Sequence, residues 1–263
     1  MDKKTISRDG TPIAYQRFGD GPAVVLVGGA MCTGATLAPL AELLSDRFGA
    51  VTYDRRGRGR SGDTGPFAVD REVEDIAALI EASGGSAALY GISSGGALAL
   101  RAAAVGLPVR EVAVYETPFA LDDRGGKERA EYTERLTELL ARDRRGDAVE
   151  LFLSRVGTPP ETIAGIRLSH AWAGMEAIAP TLAYDNAALG DGTVPRERLA
   201  AVSVPLLSIA GDASPGWMRE AARVVADTAP TGSYRTLEGQ THMVDSVVLA
   251  PVLAEFFDAN DRG

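Results

Sequence analysis

Five short runs of mostly apolar residues, Ala23–Val27, 50–53, 87–90, 112–115 and 205–209, lack the polar-every-second-residue alternation of a strand with one wet face. Runs of this kind suit strands buried on both sides, which is the situation of a parallel sheet covered by helices. Helix-length amphipathic segments lie between and after them, at 37–47, 69–83, 95–106, 217–228 and 249–258. The alternation predicts an α/β fold: a mainly parallel central sheet with helices on both faces. An antiparallel edge should precede it, because Thr5-Ile6-Ser7 and residues 13–18 flank an Asp9-Gly10 turn. With 263 residues the chain has room for one such domain and is short for two.

One region breaks the rhythm. Residues 119–199 contain no buried-strand run, but carry charged helical stretches at 127–144 and 148–156 and the punctuation Thr158-Pro159-Pro160. They read as a helical insertion, with residues 1–118 and 200–263 forming the core. A formal net charge of -9 argues against nucleic acid or an anionic membrane surface as a partner. The single cysteine, Cys32, has no internal disulfide partner, and one cysteine with two histidines makes no cluster at zinc spacing, so no metal and no cofactor is expected. The most apolar stretch, 87–107, is interrupted by Arg101 and a Gly/Ser cluster, which fits strand, turn and helix rather than a membrane span. Since Met1-Asp2-Lys3-Lys4 opens with charge and not with an apolar leader core, a cytoplasmic protein is expected. The sequence leaves monomer and homodimer both open, with a small molecule as the partner.

The chemistry is concentrated in Gly91-Ile92-Ser93-Ser94-Gly95, a G-x-S-x-G motif between an expected strand and an expected helix. Side chains at Gly91 and Gly95 would collide with neighbouring elements in such a tight turn. The turn presents the Ser93 hydroxyl at the carboxyl edge of the sheet, where a helix N-terminus favours developing negative charge. A serine hydroxyl needs an adjacent base. His242, in Leu237-Glu238-Gly239-Gln240-Thr241-His242 ahead of the last helix, is in the loop from which a late histidine reaches that edge. His170, beside Trp172 in the insertion, is a weaker candidate, structural or pocket-lining.

Taken together these residues resemble the α/β-hydrolase superfamily in its serine hydrolase branch, over nearly the whole chain. Tyr53-Asp54-Arg55-Arg56-Gly57-Arg58-Gly59-Arg60-Ser61 resembles the exit of that superfamily's fourth strand, and Val25-Leu26-Val27-Gly28-Gly29-Ala30 resembles the exit of its third. The resemblance implies oxyanion-hole N–H donors at Ala30 and Ser94, with Met31 a neighbour, and makes 119–199 a lid over the site. The usual His-Gly pair is Gly28-Gly29 here. It also implies an acid after the seventh strand, but Gly211-Asp212-Ala213-Ser214 has Ser214 in the expected position, two residues beyond Asp212. The superfamily's alternative acid site follows the sixth strand, where Glu116 stands. Glu116 is therefore favoured over Asp212 as the acid that orients His242, with Asp212 kept open.

The expected activity is hydrolysis of an ester, thioester, lactone or related acyl bond of a small molecule through a Ser-His-acid triad. The alternative is a non-hydrolytic catalyst of cyclisation, elimination or acyl transfer, or a ligand-binding protein, motivated by Ser214. Cys32, Trp217 and Met243 join Met31, His170 and Trp172 as candidate substrate contacts, with core packing as the alternative. Gly57-Arg58-Gly59-Arg60-Ser61-Gly62 matches a dinucleotide fingerprint, but no helix is expected to follow it. The arginines at 55–60 are expected on a solvated loop, with recognition of an anionic substrate group as the alternative.

Overall fold

The computed structural model describes residues 3–260; Met1 and Asp2, part of the charged opening of the chain, lie outside them. Strands β1 (Lys3–Ile6) and β2 (Pro12–Phe18) form the expected antiparallel hairpin. Six more follow: β3 (Ala23–Val27), β4 (Gly49–Tyr53), β5 (Ala87–Ile92), β6 (Val109–Tyr115), β7 (Leu206–Gly211) and β8 (Gly232–Leu237). They build one eight-stranded sheet in the order β1-β2-β4-β3-β5-β6-β7-β8. β2 joins β4 antiparallel, and every pairing from β4 to β8 is parallel.

The unalternated runs have a direct explanation in the two layers of helix. Val25 and Val27 of β3, Leu89 of β5 and Val112 and Val114 of β6 pack against α2 (Val69–Ala82), α3 (Ser94–Ala104) and α10 (Gly216–Thr228). Their neighbours Val24, Leu26, Ala88, Tyr90, Ala113 and Tyr115 face the other way, onto α1 (Ala38–Leu44) and α11 (Ser246–Asn260). Both parities of each strand are thus withdrawn from water, which is why both are largely apolar. The parallel strands β3 to β8 all end at one edge of the sheet, which is where open α/β sheets carry their ligands.

Between β6 and β7 come α4 (Asp123–Ala141), α5 (Arg145–Arg155), α6 (Pro160–Arg167), α7 (Trp172–Ile178), α8 (Leu182–Ala188) and α9 (Arg196–Ala200). Pro159-Pro160 starts a helix here rather than merely breaking one: Pro160 is the first residue of α6, where the missing N–H costs nothing. The helices bury two small apolar clusters of their own, around Leu136, Leu139 and Leu182 and around Val149, Leu153 and Trp172. A bridge pairs Ala120 with Thr193, near the two ends of this helical segment.

Candidate active site

β5 runs into Ser93, whose φ of 56° and ψ of -128° are strained for a residue with a side chain. The turn is pinned on both sides: the Ser93 N–H donates to Tyr115 O on β6 (3.0 Å), and the Gly96 N–H donates back to Ser93 O (2.9 Å). The steric need for glycine is concrete. A Cβ on Gly95 would lie 2.2 Å from Val27 O, and one on Gly91 would lie 2.6 Å from Gly95 O.

His242 comes from the loop between β8 and α11, with its side chain about a third exposed (35%). Its Nδ1 lies 2.9 Å from Glu116 Oε2. Glu116 is fully buried at the end of β6, with a positive φ of 45° that swings it out of the strand path. Its other oxygen, Oε1, accepts from the Gly211 N–H at 2.8 Å. Burial of a carboxylate is costly unless it is hydrogen-bonded and paired, and here one N–H from β7 and one imidazole meet that requirement. Tyr115 ties the two loops together a second time, its hydroxyl donating to Thr241 O at 2.7 Å. Burial, then the negative charges of Glu116 and Asp212, push the Tyr115 phenol up, so it stays a donor.

Asp212 is elsewhere engaged. It is exposed, and its Oδ1 accepts from the Gly239 N–H at 2.7 Å, bracing the turn after β8. Ser214, where the family acid was expected, is buried at the head of α10.

The loop after β3 reaches Ser93 from the other side. A Cβ on Gly29 would be 3.0 Å from Ser93 Cβ and 3.6 Å from its Oγ. Ala30 and Met31 are half-buried and pack against the apolar clusters of the insertion, and Met31 takes a φ of 60°. Cys32 is partly buried beside Gly28, and burial raises its thiol above the ordinary range. Ser94 is buried at the start of α3.

Five expectations need correction. Met243 is 87% exposed and Trp217 51% exposed, so neither lines an enclosed pocket; they follow His242 and open α10 at positions that face water. His170 is exposed in the turn between α6 and α7, while Trp172 is buried within the insertion's own core, under the guanidinium of Arg167. The largest correction concerns the arginines. Arg55, Arg56 and Arg58 are not solvated but fully buried. Arg55 forms a two-point pair with Glu72 (2.6 and 2.7 Å) and reaches Asp185 of α8 (2.5 Å). Arg56 holds Asp75 at two points (2.8 and 2.6 Å) and Asp9 (2.9 Å). Arg58 holds the second oxygen of Asp185 (2.6 Å) and Thr181 Oγ1 (3.0 Å). A signal for this was present: Glu72 and Asp75 fall at helical spacing on the apolar face of α2 with Ile76 and Leu79, and acids on a core face require buried cations.

Among the described residues no group of three or more His, Cys, Asp or Glu side chains is arranged to hold a metal ion, and no helix is long and apolar enough to cross a membrane. Residues 24–254 match the model of the alpha/beta hydrolase family. The chain belongs to that family. As a member, this hydrolase is similar to the pimeloyl-[acyl-carrier protein] methyl ester esterase of Xanthomonas campestris pv. campestris, 32% identical over 86% of this chain and 89% of that one. A segment of 89 residues, 33% of the chain, is 38% identical to polyketide synthase ThaQ of Burkholderia thailandensis, but spans only 4% of that protein. Among solved structures, an alpha/beta hydrolase from Sphaerobacter thermophilus superposes with a TM-score of 0.89 at 51% identity, covering 97% of this chain and all of that one.

Proposed function

We propose that this alpha/beta hydrolase cleaves an ester, thioester, lactone or related acyl bond of a small molecule, with Ser93 as nucleophile, His242 as general base and Glu116 as the acid that orients the base. The observation that carries the reading is the 2.9 Å contact between His242 Nδ1 and a fully buried Glu116, whose chain neighbour Tyr115 accepts at its carbonyl from the backbone N–H of Ser93 in a strained strand-to-helix turn. A carboxylate can only accept, so it holds the imidazole proton on Nδ1 and leaves the Nε2 lone pair for the serine proton. The likeness to an esterase over most of both chains supports the same chemistry.

In the first half-reaction Ser93 Oγ bonds to the carbonyl carbon as its proton passes to His242 Nε2, and the carbonyl π electrons move to oxygen. Backbone N–H groups of Ala30 and Ser94 stabilise that oxyanion. The C–O or C–S bond to the leaving group then breaks, and the leaving group takes the proton from His242. Water repeats the sequence against the acyl-serine: it gives one proton to His242, its oxygen bonds to carbon, and Ser93 departs with that proton, releasing the acid. Residues 119–199 serve as the lid over this edge, and Ala30 and Met31, Met31 on both of its clusters, pack the oxyanion loop against it. A cytoplasmic site of action fits the lone Cys32. The non-hydrolytic alternative loses the observation that motivated it, since Glu116 stands at the imidazole and Ser214 need not supply an acid.

The test is intact-protein mass spectrometry after fluorophosphonate treatment of the wild type and of Ser93→Ala, His242→Ala, Glu116→Gln and Asp212→Asn. A single adduct, absent from the Ser93 and His242 variants and slowed by the Glu116 change alone, is expected. A wild type that takes no adduct overturns the hydrolase reading.

A further inference from the structure

The buried Arg55–Arg58 pair takes no part in the acid–base steps of the reaction, yet it touches the loop on which the oxyanion would rest. Arg55 Nη1 donates to Gly28 O (3.2 Å), and Arg58 Nη1 donates to both Gly29 O (2.6 Å) and Cys32 O (3.1 Å). In a trans peptide the C=O and the following N–H point in opposite directions. A guanidinium that draws Gly29 O toward itself therefore turns the Ala30 N–H the other way. Gly29 itself lies against Ser93, and Met31, at positive φ, turns the chain just beyond. One proposed oxyanion donor is thus aimed by Arg58.

The second donor is the backbone N–H of Ser94, and its side chain is anchored too. Ser94 Oγ donates to Asp185 Oδ1 at 2.7 Å. The same carboxylate accepts from Arg55 at Oδ1 and from Arg58 at Oδ2. On this geometry, and resting on the acyl-transfer reading, we infer that Asp185 is a positioning residue: one insertion carboxylate sets the geometry of both oxyanion donors, reaching Ala30 through Arg58 and Ser94 through its hydroxyl.

Stability alone gives no reason for this arrangement. A buried ion network is commonly no more stable than an apolar one of the same volume. What apolar side chains could not do is hold three loop carbonyls and a serine hydroxyl in fixed directions. Against the upward push of burial, Arg58 and Arg55 keep the Asp185 carboxyl below its ordinary range, so it is ionised wherever the base works.

The experiment measures p-nitrophenyl butyrate hydrolysis, inhibition by a trifluoromethyl ketone and urea unfolding for the wild type, Asp185→Asn, Arg58→Lys and Ser94→Ala. Asp185→Asn and Arg58→Lys should lower kcat about 10- to 100-fold with KM nearly unchanged. The ketone, which becomes a tetrahedral oxyanion when bound, should weaken by the factor lost in kcat/KM. The acidic limb of the pH profile should stay in place, because the His242–Glu116 pair is untouched. Ser94→Ala leaves both ion pairs intact; it should fold even where the others do not, and lose several-fold in kcat with the same signature. Folded variants with wild-type kcat and ketone affinity, or with losses in KM alone, overturn the positioning role and leave the hydrolase standing. A wild type that neither hydrolyses the ester nor takes a fluorophosphonate removes the hydrolase reading, and this role with it.

Discussion

Replacing Glu116 by glutamine changes one oxygen to an amide nitrogen without altering size, and the two donors that face this side chain decide which way the amide settles. The Gly211 N–H is fixed by β7 and must keep an acceptor, so the glutamine oxygen has to take the Oε1 position, 2.8 Å away. The NH2 group then faces His242 Nδ1 across the 2.9 Å gap. Two donors cannot share that contact, so the ring adopts the tautomer with its proton on Nε2 and presents an N–H to Ser93 in place of a lone pair. The base is lost while its position is kept. In triads of this type the wrong tautomer costs about 10⁴ in kcat, or about 5 kcal/mol of transition-state stabilisation. Steady-state hydrolysis of p-nitrophenyl butyrate measures the loss, and circular dichroism with urea titration checks that the fold survives. If Glu116→Gln stays within about tenfold of the wild type while Asp212→Asn falls further, the tautomer argument is wrong and the acid is Asp212.

Three further predictions concern the same frame. Ser214→Asp added to Glu116→Gln should recover part of the lost kcat, since it restores an acceptor at the position where the family's acid is expected; no recovery in the stopped assay would mean that the loop at 212–215 cannot reach the ring. Gly95→Ala should destabilise by at least about 2 kcal/mol in urea, because its Cβ would sit 2.2 Å from Val27 O in a contact between two backbones that cannot give way cheaply. The hydrogen bond from Arg56, outweighing burial, holds the Asp9 carboxyl well below the usual range. In the unfolded chain that group takes up a proton near pH 4 while the folded one does not, so its stabilisation is complete above about pH 4 and is lost as pH falls through the depressed value. Asp9→Asn should therefore lower the unfolding midpoint most in the neutral region and flatten the acid limb, so that variant and wild type converge as pH falls.

The sheet was legible because Val24 to Val27, Leu89 and Val112 to Val114 are apolar at both parities, and only a strand covered on both faces permits that. The strained turn at Ser93 was legible because crowding leaves glycine as the usual choice at 91 and 95. Glu116 could be ranked but not fixed, since its positive φ and its bond to the Gly211 N–H depend on a strand almost a hundred residues away. Arg55, Arg56 and Arg58 were misread for the same reason. A run of arginines before a Gly-rich turn looks wet until Asp9, Glu72, Asp75 and Asp185, from separate segments of the chain, are brought onto it. Met243 and Trp217 show the reverse error: apolar residues near a motif were given a role that their exposure does not allow.

Asp185 also limits how this hydrolase can be re-engineered. Exchanging the helical segment between β6 and β7 for that of another family member would remove Asp185 and Thr181 along with it. The donor segment would have to bring a carboxylate to the place of Asp185 and an acceptor to that of Thr181. Without them, Arg58 is left in the interior with only carbonyl partners among the described residues, and Arg55 keeps Glu72 as its one carboxylate. A graft that ignores this would fail in the recipient core before its new pocket met any substrate.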